Sequence, residues 1–237
     1  MFQHQGIWLP DGEAHFPKWM DANGELVDGR GTYQIRKYRA AMGFMAYPNL
    51  RRAIDVGAHV GFWSLQMIRN FDLVEAFEPV AAFRACFRKN LPSAQGKGNH
   101  ADWVLHDCAL GAEACYVSMR TPALDGGIDS GGTHVNPGLV GKTEMRTLDS
   151  FEFSMVDFVK IDCEGFEHKV IEGARETLLA WKPCVIVEQK PHKLGPNFGI
   201  KGTPACDLLR ELGAVERLVI SGDHIFTWRD RGAAAAK

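Results

Sequence analysis

The chain lacks several features that mark particular classes of protein. None of its six cysteines forms a CxxC pair, and the gaps between them are long and irregular. This argues against a zinc or disulfide framework and favours reduced thiols in a cytoplasmic protein. No stretch approaches the roughly 18 apolar residues that indicate a membrane span. With a net charge of −2, the protein has no global basic field to hold nucleic acid, so no nucleic-acid partner is expected.

The composition supports a folded core. Hydrophobic residues make up 46% of the 237 residues, which argues against disorder. Residues 1–16 contain no basic region followed by an apolar run, so we expect no signal peptide and no membrane partner. No internal repeat or long linker divides the chain. We therefore expect a single domain over residues 1–237, with an N-terminal extension (1–50) that carries a helix and a core (50–230).

Apolar segments with strand and helix periodicity alternate along most of the chain. The predicted strands are 52–57, 73–78, 102–108, 115–121, 143–147, 156–162, 184–189, 214–220 and 223–229. The predicted helices are 31–46, which Pro48 ends, 61–70, 80–91, 166–181 and 203–212. Residues 1–29 and the long loop 121–142 are predicted to be irregular. The alternation predicts an α/β fold with a mainly parallel sheet, helices on both faces and ligands at the carboxyl ends of the strands.

A glycine-rich turn follows the first strand of this core. The sequence IDVGAHVGFWS runs from an apolar strand through Asp55, Gly57 and Gly61 into the start of a helix. Because His59 replaces the middle glycine that admits a pyrophosphate, the turn favours a cofactor without phosphates, such as S-adenosylmethionine. We expect Asp55 and the turn from Gly57 through Ala58 and His59 to Gly61 to hold its methionine end. The alternative is a plain strand–helix turn.

Two further strand ends complete the predicted cofactor site. Glu78 lies 23 residues after Asp55, close to the spacing of an acid that binds ribose hydroxyls, and Pro79 places it at the strand–helix edge. In HDCALG, Asp107 is a candidate acceptor for the adenine amino group, and Cys108 or Ala109 is a candidate contact to the ring. The alternatives are a solvated strand-end charge for Glu78 and a simple strand end for HDCALG.

The order of motifs resembles a known family. IDVGAHVGFWS, FEP, CALG, RTLDSF, VDFVKIDCEGFEHKVIEGA and PCVIVEQK, within residues 50–190, resemble the FkbM family of S-adenosylmethionine-dependent methyltransferases. The resemblance implies the class I methyltransferase fold, a Rossmann-like, seven-stranded sheet with an antiparallel C-terminal strand. It also implies methyl transfer, commonly to a hydroxyl oxygen of a sugar or natural product. The family usually has asparagine where His59 stands, which puts only that side-chain contact in doubt.

Acidic strand ends are candidates for the reacting chemistry. Methyl transfer to oxygen requires a collinear approach and loss of a proton. Asp162 could touch the methionine ammonium, a metal or the acceptor hydroxyl. Glu188 could serve as general base or as a hydrogen-bond acceptor for the substrate. Asp162 and Glu164 with His168 could bind a divalent cation, but such a cluster more often starts a helix. We therefore assign no metal ligand from the sequence. Lys160, on the same strand face as Asp162, is either a site residue or a partner for a neighbouring acid.

The sequence leaves open which residues surround the methyl acceptor and which of several functions the protein has. Residues 130–134 and the loop with His192 and Lys193 are candidate walls for a small-molecule or saccharide acceptor, and His134 and His192 are possible bases. A nucleotide-dependent oxidoreductase, a nucleic-acid methyltransferase and a non-catalytic module are the alternatives. Cys184 begins a strand on the edge opposite the cofactor, so we interpret it as a core residue and not as a nucleophile.

Overall fold

A computed structural model describes residues 1–45, 50–92, 102–136, 138–190 and 198–229. The helices α1 to α7 are His15–Asn23, Ile35–Met42, Ser64–Met67, Ala81–Asn90, Glu167–Glu172, Arg175–Trp181 and Pro204–Glu211. Strands β1 to β9 are Phe2–His4, Ile7–Leu9, Leu26–Val27, Arg30–Gly31, Leu50–Val56, Phe71–Phe77, Asp102–His106, Ala109–Leu110 and Cys115–Arg120. Strands β10 to β17 are Ala123–Leu124, Gly127–Ile128, His134–Asn136, Thr143–Arg146, Val156–Ile161, Cys184–Glu188, Ala214–Ile220 and Asp223–Trp228. Across the described residues, no helix is both long and apolar enough to cross a bilayer.

The central sheet has seven strands in the order β16-β17-β15-β14-β5-β6-β7. The five strands from β15 to β7 are parallel, and β17 runs antiparallel to both of its neighbours. This confirms the predicted mainly parallel sheet with an antiparallel C-terminal strand. Strands β6 and β7 lie on one side of β5, and β14 and β15 lie on its other side. The strand order therefore reverses between β5 and β14, and a cleft opens at the carboxyl ends of these two strands.

The strands of the sheet are buried because both faces are covered. All residues of β14 and β15 are buried, as is typical of parallel strands that read as continuous apolar runs. Alternate side chains enter two separate cores, since neighbouring residues of a strand point to opposite faces. Phe158 packs in a core with α2, α3 and α4, and Val159 packs in a second core with α5, α6 and α7.

The N-terminal region is more regular than predicted. The expectation of irregular structure over residues 1–29 is wrong, because this segment contains the β1–β2 hairpin, α1 and β3. Gln5 and Gly6 both have positive φ and close the hairpin, and the Glu13 carboxylate accepts hydrogen bonds from the backbone N–H groups of His15 and Phe16 at the start of α1. A glutamate three residues before a buried Phe is a weak sequence signal for a cap, so the pattern did not reveal it.

Other boundaries differ for local reasons. Residues 121–142 contain the β10–β11 hairpin and β12 rather than an irregular loop, and Asp125–Gly126 is a turn signal that favours this hairpin. The predicted helix 166–181 is two helices, which meet at Gly173, where an added Cβ would lie 2.0 Å from the carbonyl oxygen of Gly111. Helix 31–46 is shorter, as α2, and its predicted last residue and Pro48 lie outside the described residues.

A small second sheet stands beside the cleft. Its order is β12-β9-β13-β8, with one parallel pair, β13–β8, and two antiparallel pairs. It is built from the chain between β7 and β14, so it leaves the order of the central sheet unchanged. Ala109 of β8, Met119 of β9 and His134 of β12 reach the cleft from this sheet.

Candidate functional site

The cleft at the carboxyl ends of the central strands consists of two adjoining compartments. The larger has about 580 Å³ of empty space, counted with its open mouth, and the smaller has about 450 Å³. Of the residues predicted to bind the cofactor, those that line one or both compartments are Gly57, Ala58, His59, Glu78, Pro79, Cys108 and Asp162. Glu164 lines both compartments and Lys160 lines the smaller one, whereas Glu188 lines neither. The compartments share Gly57, His59, Gly131, Asp162 and Glu164. The glycine turn therefore forms the wall between them.

Both glycines of the turn are required by close packing. Gly57 has φ of +74°, and an added Cβ would lie 2.0 Å from the carbonyl oxygen of Asp162. Gly61 has φ of +93°, and its Cβ would lie 2.6 Å from Leu91. Residues with side chains rarely adopt these angles. Gly57 thus lets the end of β5 approach the end of β14, and Gly61 lets the start of α3 approach α4. Neither glycine replaces the missing middle glycine of a pyrophosphate site.

His59 ties the turn to two distant segments. Its φ is +52°, a conformation that asparagine and histidine tolerate better than most residues, so the departure from the family residue keeps the turn intact. Its Nε2 lies 2.8 Å from Ser130 Oγ, which in turn donates to the buried Glu13 carboxylate. Ser130 Oγ therefore accepts from His59 Nε2–H. Burial, reinforced by the charge of Lys160, lowers the pKa of His59 to about 3, so the ring is neutral at pH 7.

Asp55 and Lys160 form a buried pair beneath the turn. The side chain of Asp55 is fully buried, its Oδ2 accepts a 2.7 Å hydrogen bond from Ser64, and its Oδ1 lies 3.3 Å from Lys160 Nζ. Lys160 also donates to the carbonyl oxygens of Gly57, at 2.8 Å, and Val56, at 3.2 Å. Burial alone would lower the pKa of Lys160, but the Asp55 and Asp162 carboxylates raise it above its usual value. Asp55 therefore fixes the turn from below and does not line either compartment, and neither does Gly61.

Glu78 lies in the wall of the larger compartment, with its carboxylate held by the backbone. It accepts hydrogen bonds from the N–H groups of His59, at 2.9 Å, and Val80, at 2.7 Å. Glu78 is only 5% exposed, and burial raises its pKa to about 7, although these two backbone donors and Lys160 act in the opposite direction. Each carboxylate oxygen keeps further acceptor capacity, since an ionised carboxylate offers about four lone-pair sites.

Beyond Glu78, the larger compartment is mostly apolar. Phe77, Pro79, Cys108 and Leu110 form its floor and rim. Burial raises the pKa of the Cys108 thiol to about 11, so it contacts a ligand as a neutral, apolar group. Asp107 is exposed and does not contribute to this lining.

Carboxylates gather where β14 and β15 end. Asp162, Glu164 and Glu188 each have an oxygen within 4.8 Å of the others. His168, which the sequence grouped with Asp162 and Glu164, is not part of this group. Glu167 instead accepts hydrogen bonds from the N–H groups of Cys163 and Gly165, so it fixes the loop that presents the acids.

Only some of the residues predicted to contact the acceptor are found in the lining of the larger compartment. Ser130, Gly131, Thr133 and His134 line the larger compartment, from the segment proposed as a substrate wall. His134 is buried, and its Nδ1 lies 2.9 Å from the carbonyl oxygen of Gly132. His192 and Lys193 lie outside the described residues. Cys184 is buried on the opposite edge and donates weakly to the carbonyl oxygen of Ala41.

Comparison with known proteins gives the family. The family model described as the methyltransferase FkbM domain matches residues 55–213. The chain belongs to the FkbM methyltransferase family. The matched segment begins at Asp55 and takes in the glycine turn, Glu78 and the acidic strand ends. The resemblance read from the motifs is therefore confirmed.

The comparisons also find solved structures that are similar to this FkbM-family chain. Methyltransferase FkbM from Methylobacillus flagellatus KT is 14% identical with a TM-score of 0.50, and the match covers 78% of this chain and 45% of that protein. The chain therefore matches less than half of that protein's length. Precorrin-6y C5,15-methyltransferase from Geobacter metallireducens GS-15 is 10% identical, with a TM-score of 0.45 and coverage of 89% and 97%. Magnesium protoporphyrin IX methyltransferase from Synechocystis PCC 6803, solved with bound S-adenosylmethionine, is 13% identical, with a TM-score of 0.40 and coverage of 81% and 74%. No curated protein sequence matches the chain.

Several residues of the FkbM-family site lie outside the motifs that the sequence revealed. Phe16 and Tyr33, from the N-terminal extension, line the smaller compartment. Asp223, at the start of β17, lies beside Glu188 and forms a buried ion pair with Lys37 of α2. A polar residue after the SGD turn gives little sign of such a role, because only the strand order brings β17 next to β15.

Proposed function

We propose that the protein transfers a methyl group from S-adenosylmethionine to a hydroxyl oxygen of a sugar or another small-molecule natural product. The observation that carries this proposal is the common cleft. A mostly apolar compartment with Glu78 in its wall shares Gly57 and His59 with a second compartment, and Asp162 and Glu164 of the carboxylate group line both. We further propose that residues 1–237 act as one methyltransferase domain in the cytoplasm.

The residues fit the parts of this cofactor. Glu78 would accept hydrogen bonds from the ribose hydroxyls, and Phe77, Pro79 and Cys108 would contact the adenine, with Asp107 at the outer rim for its amino group. The backbone of the turn would meet the methionine carboxylate. Asp162 would accept from the methionine ammonium. The unpartnered Nδ1 of His59, buried among the described residues, supports a ligand donor at this wall.

The acids at the ends of β14 and β15 are the candidate groups for the chemistry. S-adenosylmethionine supplies an electrophilic methyl group, whose C–S bond breaks as the C–O bond forms while the electron pair stays on sulfur. The chain's task is to hold the acceptor hydroxyl in line and to remove its proton. We assign proton acceptance to Glu188 and orientation of the reacting groups to Asp162. Burial of Glu188, which is 4% exposed, keeps bulk water from competing.

Calorimetry with two ligands tests the proposal. S-adenosylhomocysteine and a nicotinamide dinucleotide are titrated separately into the full chain. We expect S-adenosylhomocysteine to bind and Glu78→Ala to weaken it by about 1.5–3 kcal/mol for each charge-assisted hydrogen bond lost. Binding of the dinucleotide without a response to S-adenosylhomocysteine would instead identify an oxidoreductase. Incubation with labelled S-adenosylmethionine and panels of hydroxylated sugars, polyketides and nucleic acids then tests the acceptor class.

A further inference from the structure

A third space, which we call the flanking groove, lies between the end of α1, the start of α2 and the turn between β16 and β17. It has about 1570 Å³ of empty space, counted with its open mouth, and its lining includes Trp19, Tyr33, Gln34, Arg36, Lys190 and Ser221. Ligand sites typically have about 300–1,000 Å³, so the groove has room for a molecule of more than one ring. All of these residues except Lys190 lie outside the family match over residues 55–213, so the groove is built mainly from the flanks of this chain.

The flanking groove borders the cleft at two neighbouring residues. Tyr33 lines both the groove and the smaller compartment. Gln34 lines the groove and also a small cavity that Asp162 and Glu188 line. Lys190 of the groove forms an ion pair with Glu188, the proposed proton acceptor. A molecule in the groove therefore lies next to the carboxylates where β14 and β15 end, which is where the methyl acceptor has to react.

The lining of the groove combines aromatic rings with a polar group that lacks a donor. The rings of Trp19 and Tyr33 are 4.6 Å apart at an angle of 64°, and both side chains are partly exposed. They offer apolar surface to the apolar face of a ligand ring. The Oε1 atom of Gln34 is buried and has no hydrogen-bond partner among the described residues. Because a carbonyl oxygen only accepts hydrogen bonds, a ligand hydroxyl suits this position.

Two of the charged groups in the groove are already neutralised. The charged side chains of its lining are Glu25, Arg36, Lys37 and Lys190. Lys37 forms an ion pair with Asp223 and Lys190 forms one with Glu188, so both lysines compensate carboxylates of the acidic edge. The preference of the groove for a charged ligand therefore depends on Glu25 and Arg36.

Arg36 gives this part of the groove a positive charge. Its side chain is exposed and forms no ion pair with a described residue, whereas Glu25 accepts hydrogen bonds from both terminal nitrogens of Arg39, at 2.6 and 2.9 Å. The hydrogen bond from Arg39, together with the charges of Arg39 and Arg36, lowers the pKa of Glu25. One carboxylate thus faces two guanidinium groups, and these three groups carry one positive charge. A planar guanidinium binds a carboxylate or a phosphate through two parallel hydrogen bonds.

We propose that the flanking groove binds the methyl acceptor, and that this acceptor is a hydroxylated ring compound with an anionic group, either a carboxylate or a phosphate. Its ring packs on Trp19 and Tyr33, and its anionic group pairs with Arg36. The hydroxyl to be methylated extends past Gln34 to the acidic edge. The inference rests on the proposed function, because it takes the ligand of the groove to be the acceptor of the methyl group.

Titration with three sugars tests the chemical class of the ligand. The full chain, saturated with S-adenosylhomocysteine, is titrated with D-glucuronate, D-glucose 6-phosphate and D-glucose, and binding is followed by calorimetry and by tryptophan fluorescence. We expect at least one anionic sugar to bind about fivefold more tightly than glucose, as for a strong exposed ion pair. The tighter of the two anionic sugars identifies the anionic group, and equal binding of both supports the shared chemistry. Equal binding of all three sugars, or no binding of any, overturns the proposal.

Two variants separate the aromatic part of the groove from its charged part. Arg36→Gln changes an exposed side chain and should remove the preference for anionic sugars while leaving the affinity for glucose unchanged. Trp19→Leu should weaken the binding of all three sugars, and Arg36→Gln keeps the test open if this second variant fails to fold. Arg88→Gln removes an exposed guanidinium from α4 and is the matched control. A preference that persists in Arg36→Gln, or that is lost equally in Arg88→Gln, contradicts the proposal.

Titration with S-adenosylhomocysteine alone separates this proposal from the proposed function. Arg36 lines neither compartment, so Arg36→Gln should bind S-adenosylhomocysteine as tightly as the unaltered chain. If S-adenosylhomocysteine binds and no sugar shows a preference that depends on Arg36, the methyltransferase assignment stands and the groove proposal fails. If anionic sugars bind through Arg36 and S-adenosylhomocysteine does not bind, the ligand class of the groove stands and the methyltransferase assignment fails.

Discussion

The two sides of the cleft are built in different ways. On the turn side, Asp55 and Glu78 are fixed by groups close to them in the sequence or in the adjoining turn, such as Ser64 and Val80. On the acidic side, Glu164 and Glu188 come from separate strand ends, and Asp223 comes from a strand of opposite direction. The turn side follows a local motif that Lys160 of β14 ties to the sheet, whereas the acidic side has no local motif and exists only once the sheet has formed.

The difference between the two sides distinguishes residues that mainly stabilise the fold from residues that can also contact a ligand. Lys160 holds Asp55 and two carbonyl oxygens of the turn, so it contributes chiefly to stability. Glu78 both caps the turn and faces the larger compartment. Changes on the turn side are therefore expected to alter stability and binding together, whereas changes at the acidic edge should alter ligand binding more than stability.

The largest effect is expected from Lys160→Met. Removing the ammonium leaves the buried Asp55 carboxylate unpaired, and we expect the free energy of unfolding to fall by about 3–5 kcal/mol. Urea denaturation at pH 7 measures it. Lys169→Met is the matched control, because Lys169 pairs with Glu172 at the surface and should contribute less than about 1 kcal/mol. Similar losses in both variants would show that the buried pair has no special weight.

Gly57→Ala is expected to have the second-largest effect on stability. Its Cβ would meet the Asp162 carbonyl oxygen at 2.0 Å, so we expect a loss of about 1–3 kcal/mol in stability and weaker binding of S-adenosylhomocysteine. Gly126 also has positive φ, but nothing lies within 4 Å of its added Cβ. Gly126→Ala therefore isolates the conformational cost alone. Thermal unfolding and calorimetry of the two variants measure the difference, and equal behaviour would remove close packing as the reason for Gly57.

The pH dependence of cofactor binding tests Glu78. Its raised pKa of about 7 reflects a buried carboxyl group that ionises late. Ribose hydroxyls donate to the ionised form, so binding of S-adenosylhomocysteine should strengthen about tenfold as the pH rises from about 6 to about 8. Calorimetry in buffers of different ionisation enthalpy should detect release of a proton. Glu78→Gln should abolish this dependence.

The stability of the unliganded protein should respond in the opposite sense. The native pKa of Glu78 exceeds its unfolded value of 4.5, so the native state binds more protons, and the free energy of unfolding should fall as the pH rises from 4.5 through about 7. Burial likewise raises the pKa of Glu167 to about 7, but that residue lies outside both compartments. Glu167→Gln should therefore reduce the slope of stability against pH and leave the pH dependence of binding unchanged. Loss of both in this variant would contradict the assignment to Glu78.

Ser130→Ala is expected to have the smallest effect. It removes the hydrogen bond between Ser130 and His59 and the one to Glu13, each contributing about 1 kcal/mol. The turn then loses its hydrogen-bonded connection to the N-terminal extension, so binding of S-adenosylhomocysteine should weaken by several-fold. Ser150→Ala removes a comparable hydroxyl from an exposed turn and serves as the control. Unchanged affinity in Ser130→Ala would show that this connection does not position the turn.

The sequence predicted the sheet and the turn because both depend on short-range patterns. Buried parallel strands appear as apolar runs, and the turn residues follow them directly, so Gly57 and Glu78 could be found by spacing. Asp223 could not, because its proximity to Glu188 follows from strand order. His168 illustrates the converse, since helical spacing near Asp162 suggested a ligand, while the neighbouring strand supplies Glu188 instead. The Asp125–Gly126 signal was available in the sequence and predicts the hairpin that the long-loop expectation missed.

The extent of the family match has a consequence for dissecting the protein. Residues 55–213 contain the glycine turn and the acids of β14 and β15, but they exclude Glu13, Lys37 and Asp223. A fragment with these limits would lose β17, and the hydrogen-bonding edge of β15 would then be exposed to other chains, a setting that favours aggregation. Both flanks should therefore be kept in any shortened version, because they close the sheet on one side and complete the cleft on the other.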